Sequence, residues 1–177
     1  MQSGFRLSGL YLALLLLTTT GCRTSAALME PSSASVETLK QQQLLEAAAR
    51  WEGTPHRWGG LDHRGIDCSG LVMRIYQEVF GITLPRTTEA QARLGRPVAL
   101  SELEAGDLVF FRLDPKNRHV GVYLGEGRFV HAASSTGVTR SRLDEPYWQR
   151  HYWMARRVLS SEPQTTTTPT QTPSIGW

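Results

Sequence analysis

With 177 residues, a formal charge of +3 and 40% hydrophobic residues, the chain suits one domain with its own core and leaves little room for a second. Its five tryptophans and five tyrosines do not alternate with basic residues, and no block of like charge concentrates the excess, which excludes a nucleic-acid platform. Two cysteines exclude a disulfide-rich scaffold.

The first element is an export signal. Arg6 supplies a charged start, Leu10 to Leu17 an apolar run too short to span a bilayer, and small residues precede Cys22, so residues 1–21 read as a secretory signal. The Gly21-Cys22 ending resembles a bacterial lipoprotein signal, in which the cysteine is acylated and becomes the mature N-terminus. Thr19 departs from that pattern, which carries Leu or a similar aliphatic three residues before the cysteine. The alternative is an ordinary signal peptide cut elsewhere. Losing Arg6 with the signal takes the charge from +3 to +2. If Cys22 is lipidated, Cys68 is the one free thiol of an exported chain, either reactive or a small buried hydrophobe. Arg23 stands where an aspartate would retain a lipoprotein in the inner membrane, so the expected location in a Gram-negative cell is the periplasmic face of the outer membrane.

Residues 22–37 are small and polar and read as a flexible tether. The domain is expected over 38–160, and the Thr- and Pro-rich residues 161–177 lack the apolar content to fold. Within the domain, Leu39, Leu44, Leu45, Ala48 and Trp51 predict an amphipathic helix stopped by Gly53 and Pro55. A Trp58-Gly59-Gly60 loop then leads to Asp67-Cys68-Ser69-Gly70-Leu71-Val72. Leu71, Ile75 and Val79 at four-residue spacing, with Gly81 as a stop, predict a helix that begins at the cysteine. The helix dipole there favours thiolate and can lower a thiol pKa from about 8.5 to between about 3.5 and 7.5. Thr88-Glu89-Ala90-Gln91 resembles a capping box and predicts a short helix. Downstream, 107–111, 119–124, 128–132 and 153–158 are β-rich runs between turn residues. Helices first and strands second imply an α+β fold with an antiparallel sheet.

Gly125-Glu126-Gly127 is a hairpin turn between the strands carrying His119 and His131. A three-residue loop makes paired residue numbers sum to an even value, which puts both histidines on one face. A two-residue loop would put them on opposite faces unless a bulge intervened. A helix-start cysteine with two histidines on a shared face describes a triad: Cys68 as nucleophile, one histidine as base, the other holding the base ring in orientation. Spacing does not fix which histidine takes which role. A zinc site on Cys68, His119 and His131 is the rival, though no paired ligands at short spacing accompany the set.

Gly53-Thr54-Pro55-His56-Arg57-Trp58-Gly59-Gly60 and Asp67-Cys68-Ser69-Gly70-Leu71-Val72 closely resemble the NlpC-type cell-wall cysteine peptidases. Leu84-Pro85-Arg86-Thr87-Thr88, residues 106–111, 119–124 and 129–132 match later blocks of that family in order. With its signal and tether, the chain looks most like the Spr-type murein endopeptidase lipoproteins. The resemblance implies a papain-like fold with the cysteine helix packed on the sheet, and hydrolysis of amide bonds in peptidoglycan stem peptides or their cross-links. It implies Cys68 as nucleophile, His119 as base and His131 as orienting residue, with no metal or organic cofactor. His56 stands where the family usually has a tyrosine beside the nucleophile. It adds a titratable group there, from which an altered pH dependence is expected.

His56, Asp67 and Ser69 are candidate substrate contacts. Asp67 and Ser69 read equally well as residues of the helix start. His63 and His151 read as surface residues, and Trp51, Trp148 and Trp153 as packing. The expected partners are peptidoglycan stem peptides and, through the lipid, a membrane; a monomer is expected, with no nucleic acid. Two other functions remain open: a wall-binding adaptor that keeps the fold without turnover, and an amidase or transferase that passes the acyl group to another nucleophile.

Overall fold

The computed structural model describes residues 32–159. The signal, Cys22, the first part of the tether and the Thr-rich tail lie outside these residues.

Helix α1 spans Ser33–Trp51 and opens on Ser32, whose hydroxyl accepts the Ser35 N–H at 3.3 Å. It therefore begins inside the 22–37 stretch read as a tether. Serine at an N-cap satisfies a helix amide that would otherwise lack a partner, and that local signal outweighs the tether-like composition. The first turns of α1 are exposed, and burial begins at Leu44 and continues through Ala47, Ala48 and Trp51. Trp51 Nε1 donates to Glu78 Oε1 at 2.9 Å and ties α1 to the next long helix.

A small hairpin, β1 (Leu61–Asp62) and β2 (Gly65–Ile66), leads into α2 (Cys68–Phe80). Helix α2 starts at the cysteine, as the spacing predicts, and stops at Gly81, whose φ of 67° is the left-handed value that favours glycine. Helix α3 (Thr88–Gln91) is capped by Thr87, one residue before the threonine of the expected capping box. Gln91 does not reach back to that cap. It is buried, and its amide donates to the carbonyls of Ser69 and Pro85, at 3.0 and 2.9 Å, which pins α3 to the first turn of α2.

The remaining strands are β3 (Arg96–Val98), β4 (Leu108–Arg112), β5 (Arg118–Gly125), β6 (Arg128–Ala133), β7 (Gly137–Arg142) and β8 (Tyr152–Arg157), with α4 (Pro146–His151) before β8. They form one antiparallel sheet in the order β3-β8-β4-β5-β6-β7. The fold is α+β, as the order of helices and strands implies. Strands β3 and β7 were not expected, because Arg96–Val98 is very short and Gly137–Arg142 carries two arginines and only one large apolar residue.

Alternation along the strands divides the core in two. Leu108, Phe110, Val120, Val122, Val130 and Ala132 pack with α1 and α2 on one face. Val109, Phe111, Tyr123, Phe129 and Ala155 pack with Trp148 of α4 on the other. Helix α2 lies against β5 and β6, the two strands that carry the histidines.

Candidate active site

Asp67 is the hub from which the cysteine is positioned. It is 5% exposed. Its Oδ1 accepts the Gly70 N–H at 2.8 Å and so caps α2, and its Oδ2 accepts the Gly59 N–H at 2.8 Å and fixes the Trp58-Gly59-Gly60 loop. Arg86 closes the cluster, with Nη1 2.9 Å from Asp67 Oδ1 and from Ser69 Oγ, and Nη2 2.5 Å from Asp67 Oδ2. Burial alone would raise the Asp67 carboxyl. The Arg86 guanidinium and the amides of Gly70 and Gly59 outweigh it and hold the pKa below the ordinary carboxylate value. Ser69 Oγ donates to Asp67 Oδ1 at 3.1 Å. Both candidate contacts are thus engaged within the protein, although each also lines a hollow beside Cys68.

Cys68 is the first residue of α2 and is 7% exposed. Its Sγ lies 3.6 Å from Thr88 Oγ1. Burial pushes the thiol pKa up, the Thr88 hydroxyl and the amides of Val120 and Ser69 pull it down, and the Asp67 carboxylate adds to the rise. The net direction is upward. Burial and the adjacent acid therefore act against the dipole of α2, which favours thiolate.

The histidines meet as the parity reasoning requires, by the second of its two routes. The turn between β5 and β6 is a two-residue one, Glu126-Gly127, with φ of 55° and 73°. The register slips between Tyr123 and Gly125, so the body of the hairpin pairs Val122 with Val130 and Tyr123 with Phe129, whose numbers sum to an even value. The bulge restores the shared face. His119 Nε2 and His131 Nδ1 stand 3.0 Å apart. Gly121 lies on the same face, where a side chain would not fit: a Cβ there would come within 2.7 Å of the Val130 carbonyl and 3.3 Å of His131 Cβ.

The chain of contacts continues to a residue that sequence reasoning missed. His131 Nε2 lies 3.2 Å from Ser141 Oγ on β7. Since Nε2 of His119 faces His131, Nδ1 is the nitrogen left for the thiol. An Nε2–H on His131 donating to Ser141 leaves His131 Nδ1 as a lone pair that accepts from His119. One tautomer of each ring satisfies every contact. Trp148 stacks on His119 at 5.7 Å between centroids and meets His131 edge-on at 4.7 Å, while Phe129 stacks on His131 at 5.0 Å. Burial by these rings lowers the His119 pKa to about 4, with the charge of His56 adding to it. Burial likewise lowers His131 to about 3, helped by His119. Burial thus favours the neutral form of each of the three groups taken singly. Burial opposes each ion formed alone, so a proton leaving Sγ for His119 must create both charges together, as a pair.

Two hollows meet at the cysteine. One, of about 330 Å³, is lined by Cys68, His56, His119, Arg118 and Trp148; the other, of about 370 Å³, by Cys68, Asp67, Ser69, Arg86 and Arg118. The exposed Trp58 borders both. His56 faces Trp58 edge-on at 5.5 Å. For the rival zinc site there is no ligand set: among the described residues, no three His, Cys, Asp or Glu side chains converge to hold a metal ion. Cys22 lies outside the described residues.

Comparison with known proteins agrees with this geometry. The model of the NlpC/P60 family matches residues 53–157. The chain is 48% identical over 120 residues to an Escherichia coli protein named murein DD-endopeptidase MepS/murein LD-carboxypeptidase, an alignment that covers 68% of this chain and 64% of the relative. It is 54% identical over 109 residues to a Haemophilus influenzae protein named as a probable endopeptidase NlpC homolog, covering 62% of this chain and 58% of that one. The chain thus spans about 64% and 58% of the lengths of these two relatives. Among solved structures, an NlpC/P60 family protein from Bacillus cereus superposes with a TM-score of 0.62 at 33% identity, over 68% of this chain and 40% of that one.

Proposed function

The chain belongs to the NlpC/P60 family, and from that premise we propose that it is a cysteine peptidase that hydrolyses amide bonds in peptidoglycan stem peptides or their cross-links. The observation that carries the proposal is the relay of His119, His131 and Ser141, set at 3.0 and 3.2 Å, in a hollow that Cys68 shares with His119. The name of the E. coli relative, which specifies murein, supplies the substrate class.

His119 Nδ1 takes the thiol proton as Cys68 Sγ attacks the amide carbonyl. The resulting imidazolium is steadied by its Nε2–H bond to His131. The oxyanion forms at the N-terminus of α2, where the N–H of Cys68, the first helical residue, has no acceptor within the helix. His119 then protonates the leaving amine, which places the leaving half of the substrate in the hollow His119 lines. Water, deprotonated by the same ring, cleaves the thioester and restores the thiol.

The lipid anchor completes the proposal. Acylation at Cys22, after removal of residues 1–21, would hold the domain at the periplasmic face of the outer membrane as a monomer. The Gly21-Cys22 ending and Arg23 support it. The test of function is a digest of cross-linked muropeptides, with products read by mass. The expected result is a net gain of one water per bond, absent with Cys68→Ala, the masses naming the bond. The D-alanyl–diaminopimelyl cross-link is the first substrate to try, given the name of the E. coli relative. Unchanged muropeptides, with the protein folded and the thiol reactive, would contradict the proposal.

A further inference from the structure

Arg112 on β4 and Arg118 on β5 are paired directly opposite each other. Like charges in that position repel. No ion pair offsets this: Arg86, Arg140, Arg142 and Arg157 all pair with acids, whereas neither Arg112 nor Arg118 has a carboxylate within ion-pair distance among the described residues, and Asp114, in the turn before β5, feels the charge of Arg118 only from farther off. What holds the two cations is the indole of Trp153, with guanidinium carbons 4.2 and 5.3 Å from the ring centroid. An aromatic face positions a cation without cancelling its charge.

The Arg118 head is further fixed from one side. Its Nη1 donates to the carbonyls of Pro115 and Asp114, at 3.3 and 3.5 Å, in the turn before β5. Among the described residues no protein acceptor takes its Nε or Nη2. Arg118 is half-buried, immediately precedes the base His119, and borders both hollows that meet at Cys68. A held guanidinium with no ion-pair partner at that junction has the properties of a receptor for a carboxylate, which it can grip with two N–H groups.

We propose that Arg118, reinforced by the field of Arg112, is a subsite for a carboxylate carried on the carbon that bears the leaving amine. The side follows from the mechanism, since His119 protonates the leaving amine and Arg118 lines the hollow beside it. In a D-alanyl–diaminopimelyl cross-link, the carbon bearing the leaving amine carries a free carboxylate. The inference rests on the murein-hydrolase proposal and refines it: the enzyme selects cross-links in which that carboxylate is free, and discriminates against those in which it is an amide.

The experiment compares two cross-linked muropeptide dimers, one with that carboxylate free and one with it amidated, on the full protein and on Arg118→Ala and Arg118→Lys. A charged hydrogen-bonding partner of this kind gives roughly 10- to 100-fold discrimination. The wild-type protein should cleave the free acid that much faster, in kcat/KM, than the amide. Arg118→Ala should lower cleavage of the acid to the level of the amide, so that the preference is lost. Arg118→Lys should recover part of the preference, and Arg112→Ala should weaken it in smaller measure. Equal wild-type rates on the two dimers would overturn the subsite, as would an Arg118→Ala loss of the same factor on both, which is the signature of a structural residue. Binding of both dimers to Cys68→Ala, measured in parallel by calorimetry, reads the same contrast without turnover. Tighter binding of the acid with no cleavage by wild type would thus count against the hydrolase and support the subsite, whereas equal binding would overturn the subsite by itself.

Discussion

Replacing Asp67 by asparagine keeps the shape of the side chain and removes its charge at the junction of three segments. In the wild type the carboxylate caps α2, holds the Gly59 N–H and pairs with Arg86. An asparagine oxygen can still cap Gly70, but its NH₂ would then face the Gly59 amide and Arg86, donors set against donors. Breaking one side of a buried ion pair costs about 3–5 kcal/mol. The Arg86 side chain is 34% exposed, so solvent screens part of that loss. The expected destabilisation is therefore about 2–3 kcal/mol, measured as a lower urea midpoint with an unchanged m-value. The pH dependence has a definite sign. Because the folded Asp67 pKa is depressed, its contribution is complete above the ordinary carboxylate pKa and is lost as pH falls through the folded value. The gap between wild type and Asp67→Asn should narrow on acidification. A loss below about 1 kcal/mol, or a gap that widens in acid, would refute the role assigned to this cluster.

Other consequences follow from the histidine face. Ser141→Ala leaves a buried His131 N–H without an acceptor, so kcat/KM should fall about 10-fold while Ser141→Thr retains most of it; equal activity in Ser141→Ala would remove serine from the relay. A base whose pKa is lowered to about 4 keeps its acceptor role in mild acid, so kcat/KM should hold until the pH approaches that value, and an acid limb near 6.5 would contradict the burial argument. His56→Tyr removes a charge that depresses His119 and should move the acid limb upward; an unmoved profile would show that His56 does not act on the base. Gly121→Ala forces a Cβ to within 2.7 Å of the Val130 carbonyl, so both stability and activity should drop, as seen in thermal melts and rates; a variant matching wild type in both would mean that the strand relaxes freely.

The parts of the site visible in the sequence were those set by local rules. A helix start, a stop glycine and the parity of a hairpin depend on neighbours in the chain, which is why Cys68 and the shared histidine face could be read from residues alone. The turn itself was two residues rather than three, and only a bulge, for which no sequence signal was noted, rescued the parity. What stayed hidden depends on partners far along the chain. Ser141 reaches His131 through the pairing of β6 with β7, a strand whose Arg140 and Arg142 obscure its alternation. Arg86 meets Asp67 across 19 residues. The burial that opposes the helix dipole at the thiol was hidden for the same reason: the dipole is a property of the helix, whereas the burial comes from the sheet and α3. Trp148 was read as packing, and it is; its ring against both histidines is a tertiary fact.

The central claim is a covalent thioester on Cys68, and the most direct measurement is its interception. Hydroxylamine added to a muropeptide digest competes with water for an acyl-enzyme but cannot divert an attack by water on the amide itself. The account predicts an acyl hydroxamate that grows with hydroxylamine at the expense of the free acid, and neither product with Cys68→Ala. Continued hydrolysis with no hydroxamate, or hydroxamate formed equally by Cys68→Ala, would contradict it.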